Sequence, residues 1–118
     1  MWSDHREFAD EWVEAWNSHD LDRVLSHYEE DVVLASPRVR LILGRDDGMI
    51  RGKAALRDYL TLGLKKVPDL RFTLKRVFSG VNAVVLEFHR SDGRHAAEFM
   101  EFGASGLVSR VSATYALD

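Results

Sequence analysis

The stretch Trp16-Asn17-Ser18-His19-Asp20-Leu21-Asp22-Arg23-Val24-Leu25-Ser26-His27-Tyr28 holds the end of one amphipathic helix, a break, and the start of another. Upstream, Phe8, Ala9, Trp12, Val13 and Trp16 recur at intervals of three and four, which places them on one face of a helix from Ser3 to Ser18. Asp4 and Glu7 suit its positive N-terminal end. Asn17-Ser18-His19 interrupts the period. Asp20 can then accept hydrogen bonds from the free amides of a new helix, whose apolar face is Leu21, Val24, Leu25 and Tyr28. The two form a bent pair.

Further along, Val32-Val33-Leu34 is a short β-prone run closed by Ser36 and Pro37. From Arg38 to Ile50 the alternation of Val39, Leu41 and Leu43 suggests a strand, while Gly44-Arg45-Asp46-Asp47-Gly48 reads as a turn, and the segment is expected to form a mobile rim. Gly52 precedes a third helix with Leu56, Tyr59, Leu60 and Leu64 on one side, stopped by Pro68. Leu70, Phe72 and Leu74 then alternate with Arg71, Thr73 and Lys75, and three more strand-like runs follow. Near Arg76 and Val77 the alternation slips by one, as at a bulge that bends a sheet. The order predicts an α+β cone: three helices packed on a curved, mostly antiparallel sheet, a shape suited to enclosing a small molecule.

A length of 118 residues fits one domain over residues 1–118. The apolar fraction of 46% with 30% charged residues argues against disorder, collagen-like repeats and coiled coil. A net charge of −3, with scattered lysines and arginines, gives no footprint for nucleic acid or an anionic membrane. No apolar run approaches the roughly 20 residues of a membrane span, and Met1-Trp2-Ser3-Asp4-His5 lacks a signal-peptide pattern, so a cytoplasmic location is expected. Without cysteine, any chemistry must use carboxylates, histidines, hydroxyls or arginines.

Ser91-Asp92-Gly93-Arg94 lies between two alternating runs, and Asp-Gly is a preferred pair for a two-residue type I′ hairpin. Pairing Ser91 with Arg94 would set His89 against Ala96, Glu87 against Glu98 and Val85 against Met100 on one face. The other face would carry Phe88 with Ala97, Leu86 with Phe99 and Val84 with Glu101. Apolar residues on both faces suggest that both are covered, one by helices over a pocket and the other, through Leu86, Phe88 and Phe99, by a second subunit in a homodimer. Opposed glutamates repel, and the nearby His89, a shared proton or an arginine from the rim would compensate, a shared proton in particular leaving one carboxyl prepared for acid–base work.

His5, His19, His27 and His95 lie in helix, cap or turn positions without the spacing of a zinc site, and no metal is expected. No nucleophile elbow, phosphate-binding loop or dinucleotide fingerprint is present, and no cofactor is expected. Glu98 and His89 are the catalytic candidates. Trp12, Trp16, Ser36, Arg38, Tyr59, Met100 and Phe102 are the candidate ligand-binding wall.

The segments "EWVEAWNSHDLDRVLSHYEEDVVLASP", "RGKAALRDYL" and "AAEFMEFGASGLVSRVSATY" resemble the nuclear transport factor 2-like superfamily, especially its SnoaL-like and ketosteroid isomerase-like branches. The resemblance covers nearly the whole chain and implies the cone-shaped, cystatin-like fold. Its members include isomerases, polyketide cyclases, dehydratases, epoxide hydrolases and non-catalytic binding domains. Against the steroid isomerases, Trp12 stands where a helix-one tyrosine would help hold an enolate, and Ser36 stands at the position of the basic aspartate. Glu98 falls near the protonated acid of the oxyanion hole. The resemblance to the cyclases implies an acid with a histidine nearby, for which Glu98 and His89 are the match. Expected partners are a small apolar or mixed-polarity molecule and a second copy, with no nucleic acid and no membrane. An acid–base isomerase or cyclase-like enzyme, a non-catalytic ligand-binding domain and a protein-interaction module are the functional readings left open.

Overall fold

Asp20 opens the second helix as its chemistry requires: its backbone is extended and its carboxylate accepts the amide of Arg23 at 3.2 Å. In the computed structural model, which describes residues 2–117, the helices are α1 (Trp2–Ser18), α2 (Leu21–Leu25), α3 (Pro37–Leu43) and α4 (Lys53–Lys66). The strands are β1 (Tyr28–Ala35), β2 (Met49–Arg51), β3 (Phe72–Ser79), β4 (Ala83–Arg90), β5 (His95–Phe102) and β6 (Val108–Tyr115). They form one six-stranded sheet in the order β2-β1-β6-β5-β4-β3, antiparallel except for β1 beside β6. An extra residue at Lys75 shifts the β3–β4 register, which is the expected bulge.

The break between α1 and α2 also fastens the sheet. His19 adopts a left-handed φ of 63°, and its ring nitrogen Nε2 lies 2.6 Å from the Leu70 carbonyl. Asn17 accepts from the Phe72 amide at 2.7 Å and donates to the Phe72 carbonyl at 3.0 Å, so a side-chain amide takes the place of a neighbouring strand. Arg23 grips Glu11 through two hydrogen bonds of 2.9 and 2.7 Å, tying α2 back to α1. Trp12, Phe72 and Phe88 pack together at centroid distances of 4.5 to 5.6 Å, placing the main core between α1 and the sheet.

Two expectations fail here. The rim after Pro37 is a helix, making four helices in place of three. Ser36 caps it by accepting the Arg38 amide, Pro37 sits where a missing N–H costs nothing, and Gly44 closes it at φ 68°. Val39 is buried while Leu41 is 75% exposed, so the apolar alternation was two helical faces and no strand.

The hairpin register also moves by one residue. Arg90 donates to the Arg94 carbonyl at 2.8 Å and Gly93 donates back to Arg90 at 3.0 Å, which makes a three-residue loop. Gly93, at φ 93°, supplies the left-handed step that such a loop needs and a side chain would resist. His89 therefore faces His95, Glu87 faces Ala97, Leu86 faces Glu98, Val85 faces Phe99 and Val84 faces Met100. A one-residue slip exchanges the faces of one strand relative to the other. Leu86 and Phe88 are buried inside, and of the apolar trio expected outside only Phe99 remains there, with Phe78 also exposed.

Candidate functional site

Tyr28 opens β1 beneath α1, and the indole N–H of Trp12 donates to its hydroxyl oxygen at 2.8 Å. Beside this buried pair, α3, α4 and the inner face of the sheet border a hollow of about 60 Å³. Leu34, Ile42, Leu56, Leu60, Leu64 and Leu70 give it an apolar wall. The polar groups reach it from separate elements: Trp16 from α1, Ser36 and Arg38 from the start of α3, Tyr59 from α4, Arg90 from the end of β4, Glu98 from β5 and Tyr115 from β6.

Glu98 is the chemically unusual member. Its carboxyl makes no hydrogen bond or ion pair with a described residue. Burial pushes its proton affinity up to about 7, opposed by the positive field of Arg90. The carboxyl thus sits between protonated and ionised at neutral pH, against an apolar wall. Burial first, and then the charge of Glu98, push the Tyr28 hydroxyl up, with the two tryptophan N–H groups opposing. Tyr115 is pushed up to about 12 by burial and then by Glu98. Tyr59 is raised chiefly by burial, with the Ser36 hydroxyl and the Arg38 charge opposing. All three phenols keep their protons and can donate.

The two tryptophans differ. Trp12 is spent on Tyr28, whereas the Trp16 indole N–H, buried and close enough to influence the same hydroxyl, has no hydrogen-bond partner. Arg90 makes an ion pair with Asp92 at 3.0 Å, and its guanidinium carbon lies 5.5 Å from the Phe72 ring centre.

Of the sequence candidates, Trp16, Ser36, Arg38, Tyr59 and Glu98 meet at this hollow. Trp12 and Met100 are fully buried in the core instead. Phe102 lies against His5 and Phe8, with ring centres 5.7 and 5.0 Å away, and does not line the hollow. His89 is displaced furthest from its expected role: the register puts it on the exposed face, its ring 4.3 Å from that of His95. Glu87 shares that face and is held by Arg76 at 2.8 Å and His95 at 2.9 Å. It does not oppose Glu98. Its hydrogen bond from Arg76 outweighs its desolvation and keeps its proton affinity below the ordinary carboxylate range.

Tyr28, Arg90 and Tyr115 were missed as wall residues. Arg90 has the same strand parity as Val84, Leu86 and Phe88, and Tyr115 the same parity as Val111 and Ala113. That signal was in the sequence, hidden for Arg90 by the wrong hairpin register. Among the described residues, no group of three or more His, Asp or Glu is arranged to hold a metal ion, and no helix is long and apolar enough to cross a membrane.

The sequence profile of the SnoaL-like domain matches residues 9–114. A SnoaL-like protein of unknown function from Burkholderia thailandensis E264 is 35% identical, with 98% of this chain and 97% of that one aligned at a TM-score of 0.95. A candidate ketosteroid isomerase from Kribbella flavida shares the fold at 19% identity and a TM-score of 0.75, over 97% of this chain and 78% of that one. The epoxide hydrolase/cyclase-like enzyme SalBIII, of pyran ring formation in the polyether salinomycin, shares it at 14% identity and a TM-score of 0.74, over 98% and 92%. No curated protein matches this chain.

Proposed function

This chain belongs to the SnoaL-like domain family, with the cone-shaped nuclear transport factor 2-like fold, and from that premise we propose that it is a small acid–base enzyme of the isomerase or cyclase kind. The observation that carries this reading is the carboxyl of Glu98: it lines an apolar hollow, has no hydrogen-bond partner, and is raised to about 7. A general acid or base works best when its proton affinity lies near the working pH, and such groups contribute roughly 10²–10⁴-fold to rate.

In this reading a compact, largely apolar substrate binds against Leu56, Leu60 and Leu64. Protonated Glu98 lends its proton to a substrate oxygen, and ionised Glu98 takes one from an adjacent carbon or hydroxyl. Tyr28 assists as a second donor. Its oxygen is already held by Trp12, so its own proton is free to point elsewhere, and a hydroxyl that accepts one hydrogen bond becomes a better donor of the next.

Binding without chemistry is the second reading. It is favoured by one observation: among the described lining residues Glu98 is the only carboxyl, and no histidine stands beside it.

The test follows hydrogen–deuterium exchange at carbon in a panel of cyclic ketones and β-diketones, using wild-type protein and Glu98→Gln. A loss of about 100-fold or more in the variant, with the fold intact, supports proton transfer at Glu98. Equal exchange by both proteins rejects that role. Retention of a panel member with no exchange by either favours the binding domain.

A further inference from the structure

The hollow carries more positive charge and more hydrogen-bond donors than its own residues use. Arg90 is neutralised by Asp92. Arg38 is not: it is half-buried on α3, and its guanidinium has no hydrogen bond or ion pair with a described residue. Its field reaches the hydroxyls of Tyr59 and Tyr115 and the carboxylate of Asp92, but Asp92 lies outside ion-pair distance and is engaged by Arg90. Glu98, the only carboxyl among the described wall residues, is largely protonated just below neutrality. The phenols of Tyr28, Tyr59 and Tyr115 and the indole N–H of Trp16 add further donors. A partly desolvated cation without a counter-ion is costly, and that cost is recovered when an anion arrives.

We propose that the ligand of this pocket is a small organic carboxylate on an apolar body, held through its charged oxygens by the Arg38 guanidinium. The choice of pocket rests on the acid–base reading, to which this adds the class of molecule. A guanidinium presents two parallel N–H groups that fit a carboxylate, and charge-assisted hydrogen bonds are about twice as strong as neutral ones. Ile42 stands one turn after Arg38 on α3, with Leu60 and Leu64 on α4, so the charged and apolar ends of such a ligand have separate walls.

The test titrates the full-length, ¹⁵N-labelled protein with benzoate and benzamide and with cyclohexanecarboxylate and its amide. At about pH 6 the acids are ionised while Glu98 keeps most of its proton. The Trp16 indole and Arg38 side-chain resonances report on the pocket. The expected result is that a carboxylate binds about tenfold or more tightly than its matched amide, that Arg38→Gln abolishes the preference, and that Arg38→Lys keeps part of it. Equal affinity for acid and amide, a preference that survives Arg38→Gln, or no carboxylate binding at about 10 mM would overturn the proposal. Glu98→Gln separates it from the acid–base reading. Carboxylate preference in that variant, with catalysis unchanged from wild type, leaves the anion site standing and removes proton transfer. No preference, with catalysis lost in Glu98→Gln, does the reverse.

Discussion

Leu86 and Glu98 stand directly opposite each other on neighbouring strands, both on the inner face of the sheet. A half-buried carboxyl facing leucine, with no hydrogen bond to a described residue, has given up part of its hydration for hydrocarbon. The pairing also sends Glu87 outward to Arg76 and His95. The two glutamates therefore have opposite electrostatic fates, one raised by burial and the other lowered by an arginine.

The first prediction concerns stability against pH. Glu98 loses its proton at about 7 in the folded chain and at about 4.5 when solvated, so in this window the folded state holds a proton that the unfolded state has lost. Its contribution to stability is complete below the lower value and is lost as pH rises through the upper one, a change of roughly 3 kcal/mol. Glu98→Gln removes the titration. Thermal denaturation should show the variant gaining on the wild type from about pH 5 to about pH 8. Glu11, held at about 2 mainly by the hydrogen bond from Arg23, acts in a separate acidic window where stability falls as pH falls. A difference between variant and wild type that is flat across pH 5 to 8 would contradict the burial of Glu98.

Glu87 and His89 are predicted to be dispensable for the pocket. Both lie on the outer face, so Glu87→Gln and His89→Ala should leave ligand affinity and turnover within about twofold of wild type. Loss of Glu87 should instead lower stability only slightly, because its partner Arg76 is mostly exposed. Urea titration and pocket binding measured side by side distinguish the two effects.

The path from sequence to site turned on these same residues. The α1 face, the Asp20 cap, α4 and the bulge at Lys75 were all legible, because each is set by local periodicity or by one capping side chain. Glu98 was found on the correct face for a partly wrong reason. Asp92-Gly93 signals a hairpin, but loop length depends on which residue takes the left-handed step, and one residue of loop exchanges the faces of β4 relative to β5. That slip brought His89 inward and hid Arg90. The rim was misread because Val39, Leu41 and Leu43 alternate, while Ser36-Pro37 and Gly44 had already marked the two ends of a helix. Trp12 and Met100 show a different limit. Periodicity identifies an inward face, but whether an inward side chain meets a cavity or a neighbour is decided by tertiary packing.

Asn17 is predicted to hold the pocket wall through its side-chain hydrogen bonds to the Phe72 backbone. Asn17→Ala removes both of its hydrogen bonds to Phe72, leaving a partly buried amide and carbonyl short of partners, for a cost of about 1–3 kcal/mol. Phe72 lines the pocket and supports Arg90, so hydrogen exchange at the Phe72 amide should accelerate before that of the β4–β5 ladder does. Unchanged protection at Phe72 would mean that the wall is held by packing alone.

The most direct measurement is an NMR pH titration of the Glu98 carboxyl carbon in glutamate-labelled protein, assigned by comparison with Glu98→Gln. The midpoint should fall near 7, well separated from the other glutamates, and should move down when a cation is placed beside it. A midpoint in the ordinary range near 4.5 would mean that the carboxyl is hydrated as it would be on an open surface, and the acid–base pocket would not stand.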